Sequence, residues 1–208
     1  MNRRALTAFR RSPSPGHQPG DTLLLTMRLA GSLSSAAEEA LGQRFSGHGG
    51  PAALADPDQR KRYFAAWDAA LNEAKSGPAW LRTGAVARQV RDQLDAGAAR
   101  GLWGLLAWTL LPNHLHVLMR LPEVPPVPLS RALQHFKSRT AQLANDRLGR
   151  DGAFWEPADD ALPIRDEPEA ISRVVRYVAL DPVRAGLARR WDEWPHTWVT
   201  DEYWQAEW

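Results

Sequence analysis

The chain has 208 residues, 44% of them hydrophobic, with a formal charge of +2 and no cysteine. That length supports one sizeable core, and no run approaches the ~18 apolar residues that cross a bilayer. Without cysteine, disulfides, thiolate zinc sites and cysteine nucleophiles are excluded, so any metal must be held by imidazole, carboxylate, amide or water. Residues 1–20 carry Arg3, Arg4, Arg10 and Arg11 in a Pro/Gly/Ser-rich setting without the apolar core of a signal peptide. They read as a flexible basic tail on a cytoplasmic protein, and residues 21–208 as a single domain.

Asp21 to Leu29 reads as a first strand. Ser32 to Pro57 reads as a loop with one short helix; it contains Gly47-His48-Gly49-Gly50-Pro51, where His48 is a solvated loop residue. A helix is predicted after Asp56 with Pro57 at its first position, because Tyr63, Phe64, Trp67 and Leu71 recur at helical spacing, and Gly77-Pro78 stops it. Thr83 to Leu94, with Val86, Val90 and Leu94, is a second helix. Gly97 to Gly101 turns into a strand over Leu102 to Leu110, and Leu111-Pro112-Asn113 forms a hairpin-like corner.

After that corner come two histidines one residue apart in an apolar, strand-like run, His114-Leu115-His116-Val117-Leu118-Met119. In a strand they point the same way, with roughly 7 Å between their Cα atoms at ~3.3 Å rise per residue. Two imidazoles so placed can share one metal ion. Leu115, Val117, Met119 and Leu121 make the opposite face, which a one-sided antiparallel sheet turns to its core, leaving the histidines on the solvated side. A His-x-His pair alone is also compatible with two ordinary polar strand residues.

Pro122 to Pro128 is a stiff connector. The helix that follows, about Ser130 to Leu148, presents Leu129, Leu133, Phe136, Thr140 and Leu143 as its buried stripe and Arg131, His135, Ser138, Arg139 and Gln142 as its polar side. Lys137, at the edge of the apolar stripe, either snorkels to solvent or reaches a phosphate bound over the sheet. In Glu169 to Arg190, Ile171, Val174, Val175 and Val178 define the core face of a helix. Tyr177 lies roughly 110° from the centre of that stripe with Asp181 on the same flank, so a hydroxyl and a carboxylate can face one site. From this segment alone the plainer reading comes first: Asp181 as the N-cap of a following helix with Pro182 in its first turn, and Tyr177 as a boundary residue with a wet hydroxyl.

Arginine makes up 23 of the 26 basic residues, and the isoelectric point is near 9.3. Arginine forks match phosphate oxygens and stack on bases, which fits a nucleic-acid binder, although a GC-rich genome produces the same bias. Some of the ten tryptophans could stack on unpaired bases. Two strand histidines, a tyrosine and a carboxylate together suggest phosphodiester chemistry. A divalent ion held by imidazoles stabilises charge on a phosphoryl oxygen, and a tyrosine ester of phosphate stores the energy to rejoin a strand.

Leu110-Leu111-Pro112-Asn113-His114-Leu115-His116-Val117-Leu118 resembles the histidine-hydrophobic-histidine (HUH) motif of single-tyrosine transposases. Arg176-Tyr177-Val178-Ala179-Leu180-Asp181-Pro182-Val183-Arg184-Ala185-Gly186-Leu187 is similar to the tyrosine-to-Asn-Pro-Val-Lys-Ala-Gly segment of the REP-associated tyrosine transposases. Supporting pieces are Trp67-Asp68-Ala69-Ala70-Leu71, Gly77-Pro78, Trp80-Leu81, the helix from Leu129, Gly152-Ala153-Phe154-Trp155-Glu156, Ile164-Arg165-Asp166 and Trp194-Pro195. They run from about residue 21 to residue 198 in the family's order.

The resemblance implies a ferredoxin-like α/β fold, an antiparallel sheet with helices packed on one face. It implies His114 and His116 as ligands of Mg²⁺ or Mn²⁺, and Tyr177 as the nucleophile forming a 5′-phosphotyrosine. Asp181 falls where the family often has Asn as a third ligand, and a carboxylate serves a hard cation at least as well. The expected partner is single-stranded or hairpin DNA, with Lys137, Arg131, Arg139 and His135 as binding residues; monomer and homodimer are both left open. Pro157 to Pro163 departs from the aromatic residues that related chains carry there, which bears on local DNA contacts. The leading expectation is a DNA nicking and joining enzyme. The alternatives are a catalytically silent DNA-binding derivative of the same fold and a metal-dependent hydrolase of small phosphoesters in which Tyr177 plays no part.

Overall fold

Residues 17–45, 57–73, 77–157 and 159–204 are described by a computed structural model of the chain. Most of the basic tail, the glycine cluster around His48, and Asp56 lie outside the described residues. Strand β1 (Thr22–Arg28) is followed by α1 (Ser35–Arg44), α2 (Pro57–Glu73) and α3 (Gly84–Ala99), then by the hairpin of β2 (Gly104–Leu110) and β3 (His114–Arg120). Helix α4 (Leu129–Leu148) leads to β4 (Asp160–Ile164), α5 (Pro168–Ala179), the one-turn α6 (Asp181–Arg184) and β5 (Thr197–Val199). The described strands form one sheet in the order β4-β1-β3-β2-β5, antiparallel throughout. Helix α3 connects β1 to β2 and α4 connects β3 to β4, which is the ferredoxin-like arrangement, extended here by β5 at the β2 edge.

Side chains alternate across each strand, so the sheet has two distinct faces. Leu23, Leu25 and Met27 of β1 and Leu115, Val117 and Met119 of β3 join Val86, Val90 and Leu94 of α3 and Leu133 and Phe136 of α4 in the main core. This is the one-faced packing expected from the sequence. The other face is not open, however. Ile171, Val175 and Val178 of α5 pack there on Leu24, Leu106, Ala107 and Leu118 in a second core. A bulge between Leu105 and Ala107 lets both Leu106 and Ala107 enter it. The histidines therefore do not face solvent: His114 is 0% and His116 2% exposed. An amphipathic helix with Ile171, Val175 and Val178 in line needs an apolar partner, and one face of the sheet was still unclaimed.

Two helices differ from their sequence outlines for packing reasons. Helix α3 continues through Gly97 to Ala99 because this glycine is a contact point: a Cβ there would lie 2.1 Å from the Trp103 ring, whose Nε1 donates to the Leu94 carbonyl at 3.1 Å. In α4 the buried line is Ala132, Leu133, Phe136, Thr140 and Ala144, with Leu129 and Leu143 only half-buried. Alanines at two contacts let the helix approach its neighbours closely, which hydrophobicity alone does not signal.

Candidate metal and tyrosine centre

Register sets the histidines. Thr26 and Thr109 flank His116 across the two ladders, and Arg28 pairs with His114. Asn113, in the corner before β3, donates from Nδ2 to the Leu71 carbonyl of α2 at 2.9 Å, and its Oδ1 lies 2.7 Å from His114 Nδ1. Since the Asn113 oxygen only accepts, His114 donates from Nδ1 and turns its Nε2 inward. His116 Nδ1 lies 2.9 Å from Thr26 Oγ1, which likewise directs its Nε2 inward. The two ring centroids are 4.8 Å apart, close to perpendicular.

Two carboxylates meet those nitrogens. Asp181, at the first position of α6, is fully buried. Its Oδ1 accepts from Asn72 Nδ2 at 2.9 Å and Arg184 Nη2 at 2.8 Å, while Oδ2 sits 3.5 Å from His114 Nε2 and 3.4 Å from His116 Nε2. The N-cap of α6 is Leu180, and no Asp181 side-chain cap forms. Asp68 of α2 places Oδ1 2.6 Å from His116 Nε2 and 3.7 Å from His114 Nε2. Its Oδ2 accepts the hydroxyl proton of Tyr177 from α5. The donor atoms of Asp68, His114, His116 and Asp181 all lie within 4.8 Å of one another, and all four residues are buried.

These groups set each other's protonation. Burial alone would lower the His116 pKa, but the Asp68 and Asp181 carboxylates outweigh it and push the imidazolium up to about 10. Burial acts to raise Asp68 and Asp181, yet their contacts with the histidines bring both below the usual carboxylate range. Burial and then the Asp68 charge raise the Tyr177 phenol above its ordinary value. These shifts favour a charged His116 between the two carboxylates and a neutral Tyr177 phenol beside them.

The residues fit a divalent cation. Ligands about 2.1 Å from a shared ion sit roughly 3–4 Å apart, the spacing of Asp181 Oδ2 from both Nε2 atoms and of Asp68 Oδ1 from His114. His114 Nε2 and Asp181 Oδ2 are buried without a hydrogen-bond partner, which is costly unless something else satisfies them. Two imidazoles with two carboxylates suit a borderline-to-hard ion such as Mn²⁺. The contact from Asp68 Oδ1 to His116 Nε2 is a hydrogen bond that must open for an ion to enter.

The sequence-predicted residues divide into two groups. His114, His116, Tyr177 and Asp181 come together. Arg131, His135 and Arg139 lie exposed on α4, on the sheet face opposite this cluster. Lys137 neither snorkels nor stays free for phosphate: it donates to the Glu156 and Pro157 carbonyls and pairs with Asp159 at 2.7 Å. The sequence alone does not mark Asp68 as a site residue. Its signal is weak but present, since Asp68 and Asn72 are polar residues one turn apart on an α2 face that also carries Leu71.

No protein-family model matches this sequence, and no curated protein is significantly similar to it. Among solved structures, the fold is similar to that of a REP-associated tyrosine transposase bound to a REP hairpin. The TM-score is 0.54 at 16% identity, covering 97% of this chain and 96% of that one. The likeness is one of fold.

Proposed function

We propose that this chain is a metal-dependent single-strand DNA nicking and joining enzyme with Tyr177 as its nucleophile, acting on single-stranded or hairpin DNA. The observation that carries the reading is the Tyr177 hydroxyl, hydrogen-bonded to Asp68 at the edge of a buried His114/His116/Asp181 cluster. The fold shared with a hairpin-bound transposase supports it.

A divalent ion would be held by His114, His116 and Asp181, joined by Asp68. A bound Mg²⁺ or Mn²⁺ supplies electrostatic stabilisation of charge developing on the phosphoryl oxygens. Tyr177 is protonated at neutral pH, so its oxygen attacks phosphorus only as its proton leaves, and Asp68 Oδ2 is the acceptor already in place. The Tyr177 Oη–P bond forms as the P–O3′ bond breaks; the leaving 3′-oxygen takes a proton from solvent water, giving a free 3′-hydroxyl and a 5′-phosphotyrosine while Asp68 keeps the phenol's proton. Rejoining reverses the exchange: a 3′-hydroxyl attacks phosphorus and gives its proton to solvent water, and Tyr177 leaves and recovers its proton from Asp68. The exposed Arg131, His135 and Arg139 then serve flanking DNA, because a phosphate at Tyr177 is across the sheet from α4.

The test incubates the protein and Mn²⁺ with a pool of hairpin oligonucleotides carrying randomised single-stranded flanks. A covalent protein–DNA adduct that survives denaturation and vanishes in Tyr177→Phe is the expected result. Cleavage by Tyr177→Phe at the normal rate would favour a hydrolase, and an adduct in that variant would move attention to Tyr63 or Tyr203. Binding without cleavage would leave a regulatory DNA-binding protein.

A further inference from the structure

We propose that Arg184 is the residue of this centre that grips the attacked phosphate, an inference that rests on the nicking function proposed above. Arg184 closes α6, three residues after Asp181. Its guanidinium carbon lies 4.1 Å from the centroid of the Tyr177 ring, and its Nη2 lies 2.8 Å from Asp181 Oδ1 and 3.9 Å from Asp68 Oδ2. The side chain is 38% exposed, against 8% or less for Asp68, His114, His116 and Asp181. In a cluster otherwise sealed from water, Arg184 is the charged member that solvent reaches.

All its hydrogen bonds and ion pairs within the described residues use Nη2. Nε and Nη1 remain as donors on a planar fork whose orientation is set twice, by the carboxylate on one edge and the phenol against its face. An anion approaching Tyr177 from solvent meets these donors before the carboxylates, which would repel it. One non-bridging phosphate oxygen on Nε or Nη1 places phosphorus beside the phenol, with no need for Nη2 to leave Asp181. A purely structural role, holding Asp181 and covering the phenol, accounts for Nη2 and the ring contact but leaves Nε and Nη1 without a partner among the described residues.

The test compares wild type, Arg184→Gln and Arg184→Lys, using a nicked oligonucleotide recovered from the randomised pool. Mn²⁺-induced thermal stabilisation, measured first, is expected to survive in both variants, showing the buried cluster intact. At saturating DNA, adduct formation should fall at least tenfold in Arg184→Gln and be partly restored in Arg184→Lys. With a single phosphorothioate at the cleavage position, wild type should prefer one diastereomer and Arg184→Gln should lose the preference that depends on this contact. In EDTA, the salt slope of oligonucleotide binding should drop by about 0.7 in Arg184→Gln, one contact's worth on a single strand. Unchanged binding slope with unchanged stereochemical preference overturns the assignment, as does loss of Mn²⁺ stabilisation in both variants, which would make Arg184 a support for Asp181. A wild type that binds the pool but forms no adduct would overturn the nicking function instead; the EDTA slope, measured on pool DNA, still decides for or against Arg184.

Discussion

Asp68 is the residue on which the centre turns, because its two oxygens serve different partners: one faces His116 and the other holds the Tyr177 hydroxyl. Asp68→Asn keeps the size but removes the proton acceptor, so adduct formation should fall by about 10²–10⁴-fold, the usual contribution of a general base. Asp181→Asn is less conservative than it looks. Its amide nitrogen must face either the two imidazole nitrogens or the donors Asn72 and Arg184, so Mn²⁺ affinity should fall, as read by the loss of thermal stabilisation. His116 makes the metal-free protein pH-sensitive. The folded state holds its proton more tightly than the unfolded chain, whose ordinary value is 6.5, so this contribution is complete below about pH 6.5 and is lost as pH rises towards about 10. Urea unfolding in EDTA should show stability declining across that window, by at most about 1.4 kcal/mol per pH unit for one proton. A flat profile would mean that His116 is neutral in the resting cluster.

Elements act through their faces. Helix α3 tolerates Gly97 because the Trp103 ring occupies the space of its missing side chain. Gly97→Ala gains about 1 kcal/mol of helix propensity but forces the indole out of place, typically at 1–3 kcal/mol, so net destabilisation of up to about 2 kcal/mol should appear in urea unfolding. Helix α4 turns its polar side away from the His114/His116/Asp181 cluster, so under the proposed function Arg131 and Arg139 would bind DNA apart from the chemistry. Replacing Arg131 and Arg139 together by Gln should lower the salt slope of single-stranded DNA binding by about 1.4, at ~0.7 per contact, while leaving the nicking rate at saturating DNA near normal. A fall in the saturated rate without a change in slope would reverse that division.

At the scale of the whole molecule, the centre links elements distant in sequence: α2 brings Asp68, β3 the histidines, α5 Tyr177 and α6 Asp181. An ion bound between them would stabilise the folded state alone. Mn²⁺ at one hundred times its dissociation constant should therefore add about 2.7 kcal/mol, roughly a 5–10 °C rise in melting temperature for a chain of this size. The rise should be absent in His114→Gln, where one inward nitrogen donor is replaced. These histidines sit in a sealed pocket, so either histidine-to-alanine change would also open a cavity and perturb the fold, and the larger polar substitution is the cleaner probe.

Strands β4 and β5 were not legible in the sequence; β1 to β3, the helices from α1 to α5, the histidine strand with its apolar reverse side and the helical phase of Tyr177 were. Each depends on local periodicity, two for a strand and 3.6 for a helix, which a linear chain displays directly. The burial of the histidines was not legible, because it depends on α5 docking on the second sheet face, a contact between segments more than fifty residues apart. The same holds for Asp68, whose meaning comes from α2 arriving beside β3, and for Lys137, whose partner Asp159 sits beyond the end of its helix. Periodicity tells which face a side chain occupies. Only the tertiary structure decides what stands opposite that face, because pairing distant segments is set by the packing of the whole core rather than by any one segment's pattern.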